Sequence, residues 1–154
     1  MIYYYEYSTP IGLLSVGSIE DDIVFCQFGL YHGKGVHQEN ACLKKAAQQI
    51  QEYFQGRRQC FELTYRYLTG TSFQHAVWNI LLTIPYGQIV SYKDIAIKIG
   101  SPKAYRAVGN ANRQNPIVIM IPCHRVVTAN RGIGGYSGGL DKKRFLLQLE
   151  KIEV

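Results

Sequence analysis

A cysteine and a histidine stand side by side, Cys123-His124, inside the stretch NPIVIMIPCHRVVTANRGIGGYSGG that runs over residues 115–139. A thiolate is a strong nucleophile, and an oriented imidazole is the usual base that generates one. Adjacency does not by itself join them. Neighbours in an extended chain point to opposite sides, so the pair needs a turned backbone to act together. Pro122, just before, fixes its own φ and biases Ile121 to an extended conformation, which favours a break in regular structure at this point. The five apolar residues Ile117–Ile121 predict a short, buried, strand-like segment leading to it. A cysteine in apolar surroundings is as a rule an inert core thiol, so Cys123 counts as a nucleophile only if a base and an orienting acid reach it. After it, Gly132-Ile133-Gly134-Gly135-Tyr136-Ser137-Gly138-Gly139 is a glycine-dense loop whose backbone could approach a ligand closely. An orienting acid must come close in the fold, and one candidate lies in a last helix, predicted from about Asp141 to Lys151 with Phe145, Leu146, Leu149 and Ile152 as its apolar face. Glu150 falls at the edge of that face, where a lone carboxylate is ordinarily solvated.

The elements that would hold these residues fall into two groups. Ile2–Ser8, Leu13–Ser18 and Ile23–Phe28 read as short strands, separated by Thr9-Pro10-Ile11-Gly12 and by the polar Glu20-Asp21-Asp22. A helix is predicted from about Glu39 to Gln55, with Leu43, Ala46, Ala47, Ile50 and Phe54 on one face and Gly56 past its end. Gln59–Tyr65 is read as a last strand, and Arg66–Thr71 as a linker. Beyond it the pattern is helical. Phe73, Val77, Trp78, Ile80, Leu81 and Leu82 make an apolar face ending at Pro85-Tyr86-Gly87. Ser91 with Asp94 resembles a capping box, opening a helix that turns Ile95, Ala96 and Ile99 inward and stops at Gly100. Ser101 is read as the cap of the next helix, with Pro102 at its first position. Helix, short turn and helix between Tyr92 and Arg113 have the form of a helix-turn-helix. In its second helix Ala104, Ala107, Gly109 and Ala111 are small, while Lys103, Arg106, Asn110, Asn112 and Arg113 supply donors. Two readings stay open for that helix: a small-residue face pressed into a groove of DNA, or ordinary packing against its neighbours.

The net charge of +6 is unevenly spread: residues 1–70 hold six Lys/Arg against seven Asp/Glu, and residues 71–154 hold eleven against four. The basic half is the half with Cys123, which favours a polyanion as partner over a merely solvated basic face. No stretch approaches the ~18 apolar residues of a membrane span, and the start MIYYYEYSTP lacks the regions of a secretory signal. A soluble, cytoplasmic protein is expected. Cys26, Cys42, Cys60 and Cys123 include no short-spaced pair, so no disulfide framework is expected. Zinc bound through Cys26, His32, His37 and Cys42 would need four ligands at loose spacing, and no metal is expected.

Pro122-Cys123-His124-Arg125-Val126, with Asn115-Pro116 before it and Tyr136-Ser137-Gly138-Gly139-Leu140 after it, resembles the O6-alkylguanine-DNA alkyltransferases, and the likeness is dense from Ser72 to Glu150. It implies an α+β protein: a small ribonuclease H-like domain at residues 1–68, then a winged helix-turn-helix domain at residues 69–154 that carries the reactive cysteine. It implies a relay from Glu150 to His124 to Cys123, with a water between the last two, and Asn115 holding the active-site turn. Tyr92 would contact the guanine, Arg106 would fill the space of a flipped nucleotide, and Tyr136 and Ser137 would meet the O6 side of the base. Val126, Arg113 and Lys103 are assigned to the same DNA-facing set. The alkyl group would pass once to Cys123, from O6-alkylguanine and to a lesser extent O4-alkylthymine, in duplex DNA entered from the minor groove by a monomer without cofactor. Two other readings stand beside this: a non-catalytic binder of damaged DNA, whose known examples lack the cysteine, and a thiol hydrolase built on Cys123 and His124.

Overall fold

The computed structural model describes residues 1–153. By internal contacts these divide into Met1–Leu68 with Pro116–Met120, and Thr69–Asn115 with the residues from Ile121 on.

In the first unit the tyrosine-rich start forms β1 (Tyr3–Thr9), followed by β2 (Gly12–Ile19) and β3 (Asp22–Phe28) in an antiparallel meander. Pro10 and Ile11 make the tight turn between the first two, and Gly12 takes φ +108°, open to glycine alone without strain. Central β2 is buried on both faces from Leu14 to Ser18, and the Phe25 ring occupies the space that a Cβ on Gly17 would need. Short parallel additions, β4 (Val36–His37) and β5 (Thr64–Tyr65), complete the order β4-β1-β2-β3-β5. Between them α1 (Ala41–Phe54) is capped by Asn40, whose side chain accepts from the Leu43 N–H, and it turns Leu43, Ala46, Ile50 and Tyr53 inward.

The predicted strand over Gln59–Tyr65 shrinks to two residues. The Gln49 side chain accepts from the Glu62 N–H at 2.8 Å and donates to the Glu62 carbonyl at 3.4 Å, so a side chain replaces the ladder there. A two-pronged contact from Arg66 to Asp22, 3.1 and 2.8 Å, ties the end of β5 to β3.

Ile117–Ile121 is fully buried as expected, yet it is not a strand. Only Ile117 bridges to β3: Cys26 N–H donates to the Pro116 carbonyl at 2.9 Å, and Val118 N–H to the Cys26 carbonyl at 3.0 Å. The chain then reverses in a three-residue turn closed by Met120 N–H to Val118 C=O, 2.8 Å, with Ile119 at φ +71°. Positive φ at a β-branched residue is a strained conformation, and burial of the side chain holds it.

The second unit starts with α2 (Ser72–Leu81). Thr71 and Gln74 cap it reciprocally, and Val77, Trp78 and Leu81 face inward. Next, β6 (Val90–Ser91) leads into α3 (Tyr92–Ile99), where Ser91 and Asp94 do form a capping box and Gly100 ends the helix at φ +85°. The following helix, α4 (Tyr105–Arg113), begins later than its proline suggests. Ser101–Ala104 closes a separate turn, with Ala104 N–H on the Ser101 carbonyl at 2.8 Å, and α4 has no side-chain cap. Trp78 Nε1 donates to the Ala111 carbonyl at 2.8 Å and so ties α4 to α2.

A one-turn 3₁₀ segment, Cys123–Arg125, leads into β7 (Val126–Val127), which pairs parallel with β6. Last comes α5 (Leu140–Leu149). Its inward stripe is Lys143, Leu146 and Leu147, continued by Glu150, whereas Phe145 is 36% exposed. The expected apolar face was set off by its phenylalanine, but the helix is turned so that a lysine and a glutamate lie on the core side.

Among the described residues no helix is long and apolar enough to cross a membrane. No group of three or more His, Cys, Asp and Glu side chains among them could hold a metal ion. The four cysteines are free thiols.

Candidate active site

Two short turns aim Cys123. Pro122, at φ −81° and ψ 65°, is the centre of a three-residue turn closed by the Cys123 N–H on the Ile121 carbonyl at 2.8 Å. The 3₁₀ turn then gathers Cys123, His124 and Arg125 into one buried unit. Asn115 Nδ2 donates to the same Ile121 carbonyl at 2.8 Å, which clasps the two ends of the excursion through Pro116–Met120. Its side chain also hydrogen-bonds the Cys123 sulfur. From α4, Asn112 Nδ2 donates to the Cys123 carbonyl at 3.2 Å. The turn that carries the thiol is thus held by two asparagines on the buried side of one helix and its extension, Asn112 at Cys123 and Asn115 at Ile121.

Glu150 is the hub of the charges. It accepts from His124 Nε2 at 2.7 Å, from Arg125 Nε at 2.8 Å and Nη2 at 3.0 Å, and from the Gly87 N–H at 3.2 Å. Arg125 Nη1 in turn donates to the Ile84 carbonyl at 2.7 Å. Burial by itself would raise the Glu150 carboxyl, but the bonds from His124 and Arg125 outweigh it and hold it down at about 2. Burial lowers His124, and its bond to Glu150 only partly offsets this, so the imidazole stays neutral. Arg125 supplies the charge that balances the carboxylate. Because the ionised Glu150 can only accept, the His124 proton sits on Nε2 and the lone pair on Nδ1. Nδ1 is buried and has no hydrogen-bond partner among the described residues. Burial pushes the Cys123 thiol up to about 11, against the lowering effects of Asn115 and Lys143. The resting site is therefore a neutral thiol near a neutral base that is oriented by an ionised acid.

Tyr92 closes another side. It opens α3, lies over Gly109 of α4, and accepts from the Gly135 N–H at 3.3 Å. Burial raises its hydroxyl above the ordinary phenol value, so it remains an O–H donor. A Cβ on Gly134 (φ +72°) would fall 2.6 Å from the Tyr92 hydroxyl, whereas Gly100 (φ +85°) faces open space.

Comparison with known proteins bears directly on this arrangement. Residues 72–152 match the family described as 6-O-methylguanine DNA methyltransferase, DNA binding domain, and residues 2–67 match its ribonuclease-like domain. The chain belongs to the 6-O-methylguanine DNA methyltransferase family. It is 44% identical to the constitutive methylated-DNA–protein-cysteine methyltransferase of Bacillus subtilis, over 99% of this chain and 97% of that one. A Mycobacterium tuberculosis family member solved in complex with DNA superposes with a TM-score of 0.90 at 39% identity, covering 97% of this chain and 92% of that one. The methyltransferase of Methanococcus jannaschii gives a TM-score of 0.70 at 31% identity, over 97% and 94% of the two chains.

Of the residues picked out from the sequence, Cys123, His124, Glu150 and Asn115 come together in one buried cluster. Tyr92 sits against the glycine loop, and Arg113 runs close to Gly109 and Gly135. Tyr136 is buried and Ser137 exposed. Val126 is fully buried in β7, and what it offers outward is a carbonyl already accepting from Lys143 at 2.6 Å. Arg106, on α4, and Lys103, in the turn before it, are exposed and make no side-chain hydrogen bond or ion pair among the described residues. The packing reading of α4 holds for part of its small residues. Gly109 and Ala111 face inward with Val108 and Asn112, while Ala107 is exposed beside Arg106 and Asn110. Arg125, Asn112 and Lys143 were not anticipated as part of the site.

One consequence for this family's transfer reaction concerns the glycine loop. Gly134→Ala and Gly100→Ala should each lose about 1–2 kcal/mol from a left-handed alanine, but only Gly134→Ala should also displace Tyr92 and slow transfer. Thermal melts with single-turnover rates test this, and equal rates for the two variants would count against the placement of Tyr92.

Proposed function

We propose that this chain is a DNA-repair alkyltransferase that moves a methyl group from O6 of guanine in duplex DNA to Cys123, once per molecule. The observation that carries the reading is the buried Cys123-His124 turn, with the His124 Nε2–Glu150 bond of 2.7 Å leaving Nδ1 as the only basic nitrogen. His124 Nδ1 takes the thiol proton, and the sulfur attacks the methyl carbon as the bond from carbon to O6 breaks. The bonding pair leaves on the guanine. Tyr92 donates to that base at N3, and in net terms the thiol proton ends on guanine. The product is a thioether, which has no carbonyl for water to attack. The site therefore offers no route back to the thiol.

A base stacked in a duplex cannot bring its O6 substituent to a buried sulfur, so the nucleotide must leave the stack. Arg106 is exposed and unbonded on the outer face of α4, with Ala107 and Asn110 beside it, and it is the residue proposed to fill the gap. Entry from the minor groove, with Lys103 and Arg113 on phosphates, suits the small residues there. Tyr136, Ser137 and Val126 are proposed to line the O6 side of the flipped base, and O4-alkylthymine is proposed as a poorer substrate. The protein is proposed to act as a monomer in the cytoplasm, on the DNA.

Methyl loss from a labelled O6-methylguanine duplex should stop at one equivalent of protein. Continued turnover would refute the single-use reading and favour a hydrolase. Arg106→Ala should slow repair of the duplex by roughly tenfold or more, the worth of a contact of ~1.4 kcal/mol, while transfer from free O6-methylguanine base stays unchanged. Equal losses on both substrates would remove Arg106 from the flipping step.

A further inference from the structure

Strand β1 is paired along its whole length on one side only. Its register with β2 runs from Tyr3 opposite Ser18 to Thr9 opposite Gly12, whereas β4 covers just Tyr3 and Tyr4 on the other side. The second ladder ends with the Gln38 N–H on the Tyr4 carbonyl at 3.1 Å, and the chain then turns away to place Asn40 as the cap of α1. Backbone groups alternate in direction along a paired strand. The Ile2 and Tyr4 carbonyls accept from the β4 side, so the N–H and C=O of Glu6 and Ser8 point to that side too. Among the described residues those four groups have no hydrogen-bond partner. An open edge is a template for another strand, and proteins commonly blunt it with a lysine, a proline or a bulge. β1 carries none of the three. A cleft of about 550 Å³ opens beside this edge, between residues 7–10 and α1, and no residue of β2 lines it. Pro10, Ile50 and Phe54 supply apolar lining. Lys44, Gln48, Gln51 and Gln55, three and four residues apart, form a polar row along one side of the helix. Lys44 is the one charged residue in the lining, and it makes no ion pair or side-chain hydrogen bond among the described residues.

We propose that the open edge of β1 and this cleft form a docking site for an extended, acidic and apolar segment of a partner protein. The segment adds as a strand along Glu6 and Ser8, whose backbone groups supply the affinity, and the cleft selects its side chains. Side chains alternate along a strand, so every second residue of the segment faces the cleft. One of these places a carboxylate on Lys44, and another lays an apolar side chain against Ile50 and Phe54. A second copy of this chain does not meet that demand. It would bring another Lys44, and the only acid in the strand it adds is Glu6, which is already paired with His37 at 2.8 Å. No residue of the cleft belongs to the Cys123 cluster, so the docking site stands apart from the transfer reading and concerns what the protein is recruited to.

The test uses short random peptides displayed on phage, selected on the full-length protein, with the enriched sequences remade as labelled peptides for fluorescence anisotropy. The enriched peptides should carry Asp or Glu two residues from an apolar side chain. Lys44→Glu should weaken their binding roughly tenfold or more, since it sets like charges together. Ser8→Pro removes an edge donor and no bond of the β1–β2 ladder, so it should abolish binding while the melting temperature stays close to native. A bound peptide should also slow amide exchange at Glu6 and Ser8 of the native protein, and this measurement decides the matter if Ser8→Pro does not fold. No enrichment over an unrelated control protein, binding indifferent to Lys44→Glu, or unchanged exchange at those two amides would overturn the proposal. So would a dimer in sedimentation that Ser8→Pro dissolves, because a second copy would then hold the edge.

Discussion

Glu150→Ala should be the most damaging single change in the second unit, costing about 3–5 kcal/mol of stability and abolishing transfer. That is the range for removing one partner of a buried ion pair while the other stays buried. Arg125 would lose both of its carboxylate contacts and keep the Ile84 carbonyl and the Tyr86 ring, and Gly87 would lose its acceptor. His124 would lose the acceptor that fixes its proton on Nε2, so the lone pair at Nδ1 would no longer be assured. Chemical denaturation gives the stability change, and a loss under about 1 kcal/mol, the typical worth of an exposed pair, would show the hub to be dispensable.

The acid limb of stability follows with the same sign from two groups. Glu150 is held below its ordinary 4.5, so its contribution is complete above that pH and is lost as pH falls toward about 2. His124 is held below its ordinary 6.5, so the unfolded chain binds the extra proton first and stability starts to decline below pH 6.5. Stability should therefore fall in two stages on acidification, and Glu150→Ala should lose the lower one.

His124→Ala should slow methyl transfer by roughly 100- to 10,000-fold at neutral pH, the usual worth of a positioned base. The native rate should be level through pH 6.5 and decline only below it, because burial keeps the imidazole unprotonated there. Without the base, the rate should depend on the thiolate that forms unaided. With Cys123 pushed up to about 11, the variant's rate should climb about tenfold per pH unit through the neutral range. The slope is the informative quantity. A variant that is slow but as level as the native protein would mean that His124 shapes the site and does not take the proton.

Much of this was legible in the sequence, for reasons that can be stated residue by residue. The meander β1–β3, helix α1 and the Ser91–Asp94 box follow from local alternation, capping and glycine positions, and these survive packing. The fate of Ile117–Ile121 does not. Apolarity announces its burial, but whether five residues extend or turn depends on Cys26, whose two backbone bonds accommodate only Ile117. The start of α4 slipped because Pro102 suits a first helical position and a turn equally well.

Two of the missed site residues, Lys143 and Asn112, share a cause. On α5 and its C-cap the buried positions are Lys143, Leu146, Leu147 and Glu150, and on α4 and its extension they are Val108, Gly109, Ala111, Asn112 and Asn115. Both sets have the spacing of a helical core stripe, and both carry polar residues at positions that an apolar count passes over. Asn112 and Asn115 hold the Cys123 turn, Glu150 holds His124, and Lys143 has two carbonyls. A polar residue in register with a core stripe was the available signal. Arg125 had no such mark, because it stands beside His124 and its partnership with Glu150 is made only by the fold.

The central claim is that Cys123 itself is the acceptor and is consumed. Its most direct measurement is the intact mass of the protein, followed by peptide mapping, after incubation with a duplex holding one O6-methylguanine. One added methyl, on Cys123 alone and matched by one restored guanine, is the result predicted. Repair without any mass gain, or a methyl found on Cys26, Cys42 or Cys60, would contradict it.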